Sequence, residues 1–251
     1  MTGLSPQLRF DSFVVGGANR LAATAARAVA ESPGAGYNPL FIYAKPGLGK
    51  THLLMAIGHA ARAIDPALVV EYMTLDDFVE AYHTAVGAGQ GETYRRRFVE
   101  AGLVLLDDVQ FLTQRRETQA ELIRLIDQMQ SAGRQIVLTS DRPPSEIEAL
   151  DERLLRRVGG GLVIDIAAPD YETRVAILRR KAEERGVVFA PKHLFAVNPS
   201  PNDALRVGFT DLAEDKARAG IRVLGQVVRK MLAGTPQPPM ALEGAYARVH
   251  V

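Results

Sequence analysis

The run Gly47-Leu48-Gly49-Lys50-Thr51 constrains this chain more than any other feature, because it sits where a strand pattern gives way to a helical one. Before it, NPLFIYA (38–44) reads as a buried strand, and after it THLLMAIGHAARA (51–63) carries apolar residues at helical spacing. Glycines at such a junction let backbone N–H groups converge on phosphate oxygens. A helix that starts there aims its positive end at the same place. On this reading Gly47, Leu48, Gly49, Lys50, Thr51 and His52 form a phosphate cradle. Lys50 supplies a cation for the β- and γ-phosphates of ATP or ADP, and Thr51 a hydroxyl for Mg²⁺. The motif G-x-x-x-x-G-K-[ST] asks for glycine at position 44, where this chain has Ala44; alanine fits if its φ is negative or mildly strained. The competing reading is a chance glycine-rich turn.

The pattern beyond the loop supports the first reading. Strand-like runs at 68–73, 103–106, 135–140 and 162–166 alternate with helical spacing at 75–86, 93–100, 117–131 and 171–185. Thr74 is a good N-cap with Asp77 three residues on, in the manner of a capping box. Such alternation builds a central parallel sheet covered by helices on both faces, so the expected fold is a P-loop α/β three-layer sandwich.

Three further segments carry candidate chemistry. LVLLDDVQFL (103–112) ends an apolar strand in two acids, which suits metal chemistry beside a P-loop. There Asp107 and Thr51 would hold Mg²⁺ and Asp108 would polarise the attacking water; alternatively, the two acids cap the next helix. IVLTSDRPP (136–144) places Asp141, and more weakly Ser140, where a γ-phosphate or water could be sensed; a plain strand stop is the alternative. DERLLRRV (151–158) puts Arg153 and Arg157 at i and i+4 on one helical face. They either solvate a surface or, in a ring or filament, reach a neighbour's γ-phosphate. Arg95, Arg96 and Arg97 read as a solvated basic turn.

Composition removes other classes. The formal net charge of +1 gives no global field toward nucleic acid, so any such contact must come from local clusters. The absence of cysteine rules out thiolate chemistry and fits a cytoplasmic setting. The N-terminus carries no signal-peptide pattern, and no apolar run approaches the ~20 residues of a membrane span.

FDSFVVGGANRLA (10–22), YNPLFIY (37–43), GLGKTHLL (47–54), LLDDVQFL (105–112), QIVLTSDRPP (135–144), DERLLRR (151–157) and PDYETRVAILRRKAEE (169–184) together resemble the bacterial DnaA initiator family, in the right order. The resemblance covers about residues 8–188. It implies an AAA+ module that binds ATP, oligomerises on origin DNA and helps open the duplex; hydrolysis is expected to be slow, because a lone site lacks a neighbour's arginine and a lid that closes on nucleotide. It implies Asp141 as first sensor, Arg157 as a finger acting in trans, and Arg153 as a second interface arginine. It implies that FVVGGANRLA lies against the nucleotide base. Single-strand contact would fall near Val79 and Arg115, with Glu117 where the family has a second basic position and Arg116 as a substitute.

The remainder, 189–251, departs from the family and reads as a small atypical C-terminal segment in place of the helical lid. Measured against a full initiator of that family, the sequence as read is expected to lack an N-terminal interaction domain before residue 8 and a helix-turn-helix reader after Val251. Residues 185–232 resemble the end of a fold-type-I aminotransferase dependent on pyridoxal phosphate (PLP), with a strand at 205–210, a helix at 212–232 and Arg206 in the LRxGF segment. No large domain or Schiff-base lysine context precedes it, which argues against PLP chemistry. ALEGAYARVHV (241–251) resembles the family's second-sensor helix, with Met240 where an arginine is expected. A thioether cannot follow phosphate charge. A fusion, a recombined gene or a chimera would each produce this interruption. Two functions compete: an ATP-binding initiator module that self-assembles, and a nucleotide-binding regulator that docks on a full-length initiator without reading DNA. An inactive chimera is a third possibility.

Overall fold

A computed structural model describes residues 3–184, 190–191, 205–206 and 214–233. The chain divides into two compact units, Met1–Ala176 and Ile177–Val251.

In the first unit, five strands form one parallel sheet: β1 (Leu40–Tyr43), β2 (Val70–Thr74), β3 (Leu103–Asp107), β4 (Gln135–Ser140) and β5 (Leu162–Asp165), in the order β2-β3-β4-β1-β5. The three inner strands, β3, β4 and β1, are buried on both faces, as a covered parallel sheet requires. Alternate side chains nevertheless serve different cores. Leu40, Ile42, Leu103, Leu105 and Val137 pack with α1 (Arg20–Glu31) and α2 (Lys50–Ile64). Phe41, Val104, Leu106, Ile136 and Leu138 pack on the other side. That second layer is built from α3 (Leu75–Gly87), α4 (Gly91–Glu100), α5 (Arg116–Ser131) and α6 (Glu152–Gly159). The α/β sandwich expected from the sequence is therefore the fold.

Local chemistry explains the element boundaries. Thr74 accepts from the Asp77 N–H while Asp77 accepts from the Thr74 N–H, both at 3.2 Å, so the capping box starts α3 as its sequence predicts. Asp151 caps α6 by accepting from the Arg153 N–H at 2.8 Å. Helix α1 is not read from the sequence. It buries Ala22, Ala23, Ala25, Ala26, Val29 and Ala30, a face made mostly of small methyl groups.

Register positions the site. Tyr43 is level with Ser140, Leu106 with Leu138, and Thr74 with Asp107. The loop after β1, both acids of β3 and the residue after β4 therefore leave the sheet at its carboxyl edge, where open α/β sheets bind ligands.

Helix α7 (Tyr171–Glu183) crosses from the first unit into the second. The second unit contains the antiparallel pair β6 (Ala190–Pro191) and β7 (Leu205–Arg206), and α8 (Glu214–Ala233). The strand expected over 205–210 is described only at its first two residues, and the helix expected over 212–232 is α8. The side chain of Arg206, Met240 and the segment 241–251 lie outside what is described. No described helix is long and apolar enough to cross a membrane.

Candidate nucleotide site

Gly47 (φ 83°) and Gly49 (φ 96°) both adopt the left-handed conformation that favours glycine, and Gly49 is the N-cap of α2. A Cβ on Gly49 would come within 3.0 Å of Phe13 Cε2, so the loop also needs glycine there for closeness. Ala44 is different. Its φ is not in the left-handed region, it is 4% exposed, and its N–H donates to the Ser140 carbonyl at 3.1 Å. The departure from the motif at position 44 carries no backbone strain.

Lys50 is buried, and its ammonium donates to the Ala44 carbonyl at 2.7 Å. Burial lowers its pKa; the carboxylates of Asp108, Asp107 and Asp141, in that order, oppose the shift. The lysine thus senses all three acids expected from the sequence.

Asp107 is 2% exposed and fully engaged. It accepts from Thr51 Oγ1 at 2.7 Å, from Thr139 Oγ1, and from the Tyr72 hydroxyl at 3.4 Å. Burial, then the charge of Asp107, pushes the Tyr72 phenol up, so Tyr72 remains a donor. Asp108 has left-handed backbone angles (φ 61°, ψ 45°), and its N–H donates to Thr139 Oγ1 at 3.1 Å. A single 3₁₀ turn, Val109–Leu112, follows. Asp141 forms a two-point ion pair with Arg142 (2.7 and 3.0 Å), which holds its carboxyl below the usual range. Ser140 is fully buried and accepts from the Arg142 N–H.

The structure brings Gly47, Gly49, Lys50, Thr51, Asp107, Asp108 and Asp141 to one edge. Other expectations are redirected. The His52 ring turns to the N-terminal segment, 3.2 Å from Ser12 Oγ and 2.8 Å from the Arg9 carbonyl, edge-on to Phe13. That contact fastens residues 9–13 to the loop side of α2. Within FVVGGANRLA, Asn19 ties the turn by accepting from the Gly16 N–H and donating to the Val14 carbonyl.

Arg153 and Arg157 do not act as one face. Arg153 folds back on its own cap residue Asp151, and Arg157 pairs with Asp127 of α5 at 2.5 Å. Arg95, Arg96 and Arg97 lie in α4, the helix expected over 93–100, and Arg95 and Arg97 are paired rather than simply solvated. Arg95 pairs with Glu121, whose side chain is 3% exposed, and Arg97 grips Glu71 through two bonds. Arg115 pairs with Asp76, and Val79 packs partly into the core. Glu117 and Arg116 are exposed at the start of α5.

Sequence reasoning misses Thr139, Tyr72 and Gln110. Thr139 and Tyr72 become visible only once the strand order sets β4 and β2 on either side of β3. Gln110 lies within the acidic motif itself.

A parallel sheet in this order, with a glycine loop after β1 and paired acids ending β3, defines a P-loop module of the AAA+ class. A model of the bacterial DnaA ATPase domain matches residues 4–165, and the chain belongs to that family. It is 43% identical over 184 residues to the chromosomal replication initiator protein DnaA of Corynebacterium jeikeium, covering 73% of this chain and 32% of that protein. The chain thus spans about a third of that relative's length. Among solved structures, domain III of the Thermotoga maritima initiator superposes with a TM-score of 0.71 at 39% identity, over 74% of this chain and 77% of that one. A replication initiator DnaA bound to AMPPCP and single-stranded DNA gives a TM-score of 0.71 at 29% identity, over 93% and 67% of the two chains.

Proposed function

We propose that this chain is an ATP-binding module of a DnaA-type initiator that hydrolyses ATP slowly and assembles through its nucleotide site. One observation carries the reading: Lys50, Thr51, Asp107, Asp108 and Asp141 converge around a left-handed glycine loop at the helix α2 N-terminus. The related structure holding AMPPCP supports nucleotide as the ligand.

In this reading the N–H groups of residues 47–52 surround the phosphates, His52 contributing its backbone. Lys50 exchanges its neutral carbonyl partner for phosphate oxygens. Thr51 Oγ1 and Asp107, already 2.7 Å apart, supply the hydroxyl and carboxylate that Mg²⁺ commonly takes beside phosphates and water. Among the described residues no cluster of three acids or histidines could hold a metal without such help. Mg²⁺, when bound, neutralises charge on the phosphates. Asp108 orients the attacking water and Asp141 senses the terminal phosphate. Arg157, with Arg153 beside the same interface, acts on the nucleotide of an adjacent subunit. That subunit is a second copy or a full-length initiator. We place the module at residues 8–188 and treat 189–251 as an appendage without PLP chemistry, in a cytoplasmic protein.

DNA contact is the weaker part of the reading. The related structure carries single-stranded DNA. Here Arg115 is engaged by Asp76, so contact at Val79 and Arg115 requires that pair to open. This favours, as a second reading, a regulator that docks on an initiator without gripping DNA.

Titration calorimetry with ATP and ADP, with and without Mg²⁺, tests the site. Binding that Lys50→Ala abolishes is expected. No binding, or an unchanged Lys50→Ala variant, overturns the proposal. ATPase rate against protein concentration tests assembly: a flat rate per subunit, insensitive to Arg157→Ala, refutes the finger.

A further inference from the structure

Gln110 stands in the 3₁₀ turn after the paired acids, and its amide makes one bond at each end. Nε2 donates to Asp108 Oδ1 at 3.0 Å, and Oε1 accepts from the Asp141 N–H at 3.2 Å. The two partners fix which way the amide points, because a carboxylate only accepts and a backbone N–H only donates. An amide is the side-chain group that satisfies both. A carboxylate in its place would keep the bond to Asp141 and face Asp108 with like charge. A methyl would make neither bond.

The two residues it links are otherwise held from different sides. The Asp108 backbone is anchored by the Thr139 hydroxyl at 3.1 Å, and the Asp141 carboxylate is engaged by Arg142. Neither of those contacts sets the direction of the Asp108 carboxylate. Gln110 does, and it takes its own position from the backbone that follows β4. A movement of the Asp141 backbone is therefore passed to the Asp108 carboxylate through three atoms of one amide.

We propose that Gln110 is a positioning residue for ATP hydrolysis: its amide aims the Asp108 carboxylate and couples it to the Asp141 segment. This rests on the reading above in which Asp108 orients water and Asp141 senses the terminal phosphate. Gln110 itself need not touch nucleotide. Its loss should therefore leave ATP binding intact and slow the chemical step.

The full chain and its Gln110→Ala and Gln110→Glu variants are compared in ATP titration, steady-state ATPase and backbone amide exchange. Both variants should bind ATP within about twofold of the parent chain, an energetic change under about 0.4 kcal/mol. Both should lose about tenfold or more in kcat at nearly unchanged KM, the range of a misplaced catalytic group. Exchange at the Asp141 N–H should quicken in Gln110→Ala and stay slow in Gln110→Glu, which keeps the acceptor. An unchanged kcat in either variant, or a loss confined to KM, overturns the proposal. So does equal protection of the Asp141 N–H in all three proteins. A parent chain that binds ATP and turns none over overturns the hydrolysis reading first and the positioning role with it. Should Gln110→Ala fail to fold, the near-isosteric Gln110→Glu decides alone.

Discussion

Restoring the motif glycine by Ala44→Gly separates motif from physics. The motif predicts a better phosphate loop. The structure predicts a less stable protein with the same affinity. The Ala44 methyl is buried among Leu53, Leu54 and their neighbours, and its removal forfeits about 0.8 kcal/mol of transfer free energy. Glycine also widens the unfolded ensemble, at about 0.4–1 kcal/mol. Together these give a loss of about 1.2–1.8 kcal/mol, or about 2–7 °C in the unfolding midpoint for a chain of this size. Affinity should change less than about twofold, because residue 44 presents only its carbonyl to Lys50, and that carbonyl remains. Calorimetric unfolding and ATP titration on the same samples measure both quantities. Gly49→Ala is the control. Its φ of 96° and the approach to Phe13 should cost at least about 1–2 kcal/mol, and here ATP binding should weaken as well. An Ala44→Gly protein that keeps its midpoint and binds ATP about tenfold tighter would refute the reasoning, since the alanine would then be a strained compromise.

Two other outcomes follow from the ion pairs. Asp127→Asn removes the carboxylate that holds Arg157; because both side chains are about half exposed, stability should change by less than about 1 kcal/mol. The concentration-dependent ATPase should rise, and an unchanged rate profile in an assembling protein would show that the pair does not restrain the finger. Asp151 has its pKa lowered from 3.8 to about 2 by the Arg153 side chain and N–H. A depressed folded-state value means that its stabilising contribution is complete above the unfolded value and is lost as pH falls from about 4 through about 2. Asn also caps helices, so Asp151→Asn isolates the charge. Its unfolding midpoint should lie below the parent's at about pH 6, and the gap should close near about pH 2.

Much of the fold is legible because strand and helix periods differ and the chain obeys both. The runs that become β1, β3 and β4 are unmistakably apolar, and Thr74 and Asp77 announce α3 at the residue where it starts. Helix α1 is less legible, because its buried face is made mostly of small alanine methyls, with Val29 the one larger apolar side chain. The sheet order is also hidden. Placing β1 between β4 and β5 follows from crossover geometry, and no local pattern encodes it. That loss propagates to the site. The motif residues Lys50, Thr51, Asp107, Asp108 and Asp141 can be named from the sequence, whereas Thr139 and Tyr72, which engage Asp107, lie on strands whose neighbours must first be known.

Side-chain partners are the least legible level, and they decide how the site can act. Lys50 and Arg157 each already hold an internal acceptor, so ligand binding there is an exchange of partners. The acceptors differ in kind. Lys50 holds a neutral carbonyl, a weak competitor for a phosphate oxygen, and burial penalises its charge until an anion arrives. Exchange there runs toward nucleotide. Arg157 holds the carboxylate of Asp127, and giving up one anion for another gains little unless the new one is more highly charged or better shielded from water. A lone subunit offers Arg157 no such anion in the contacts it makes. In the proposed assembly, a triphosphate buried at the junction with a second subunit would be such an anion. Under that proposal the arginine held by Asp127 in one chain would be released only when assembly supplies the stronger acceptor, so the proposed finger would be conditional on the neighbour's nucleotide.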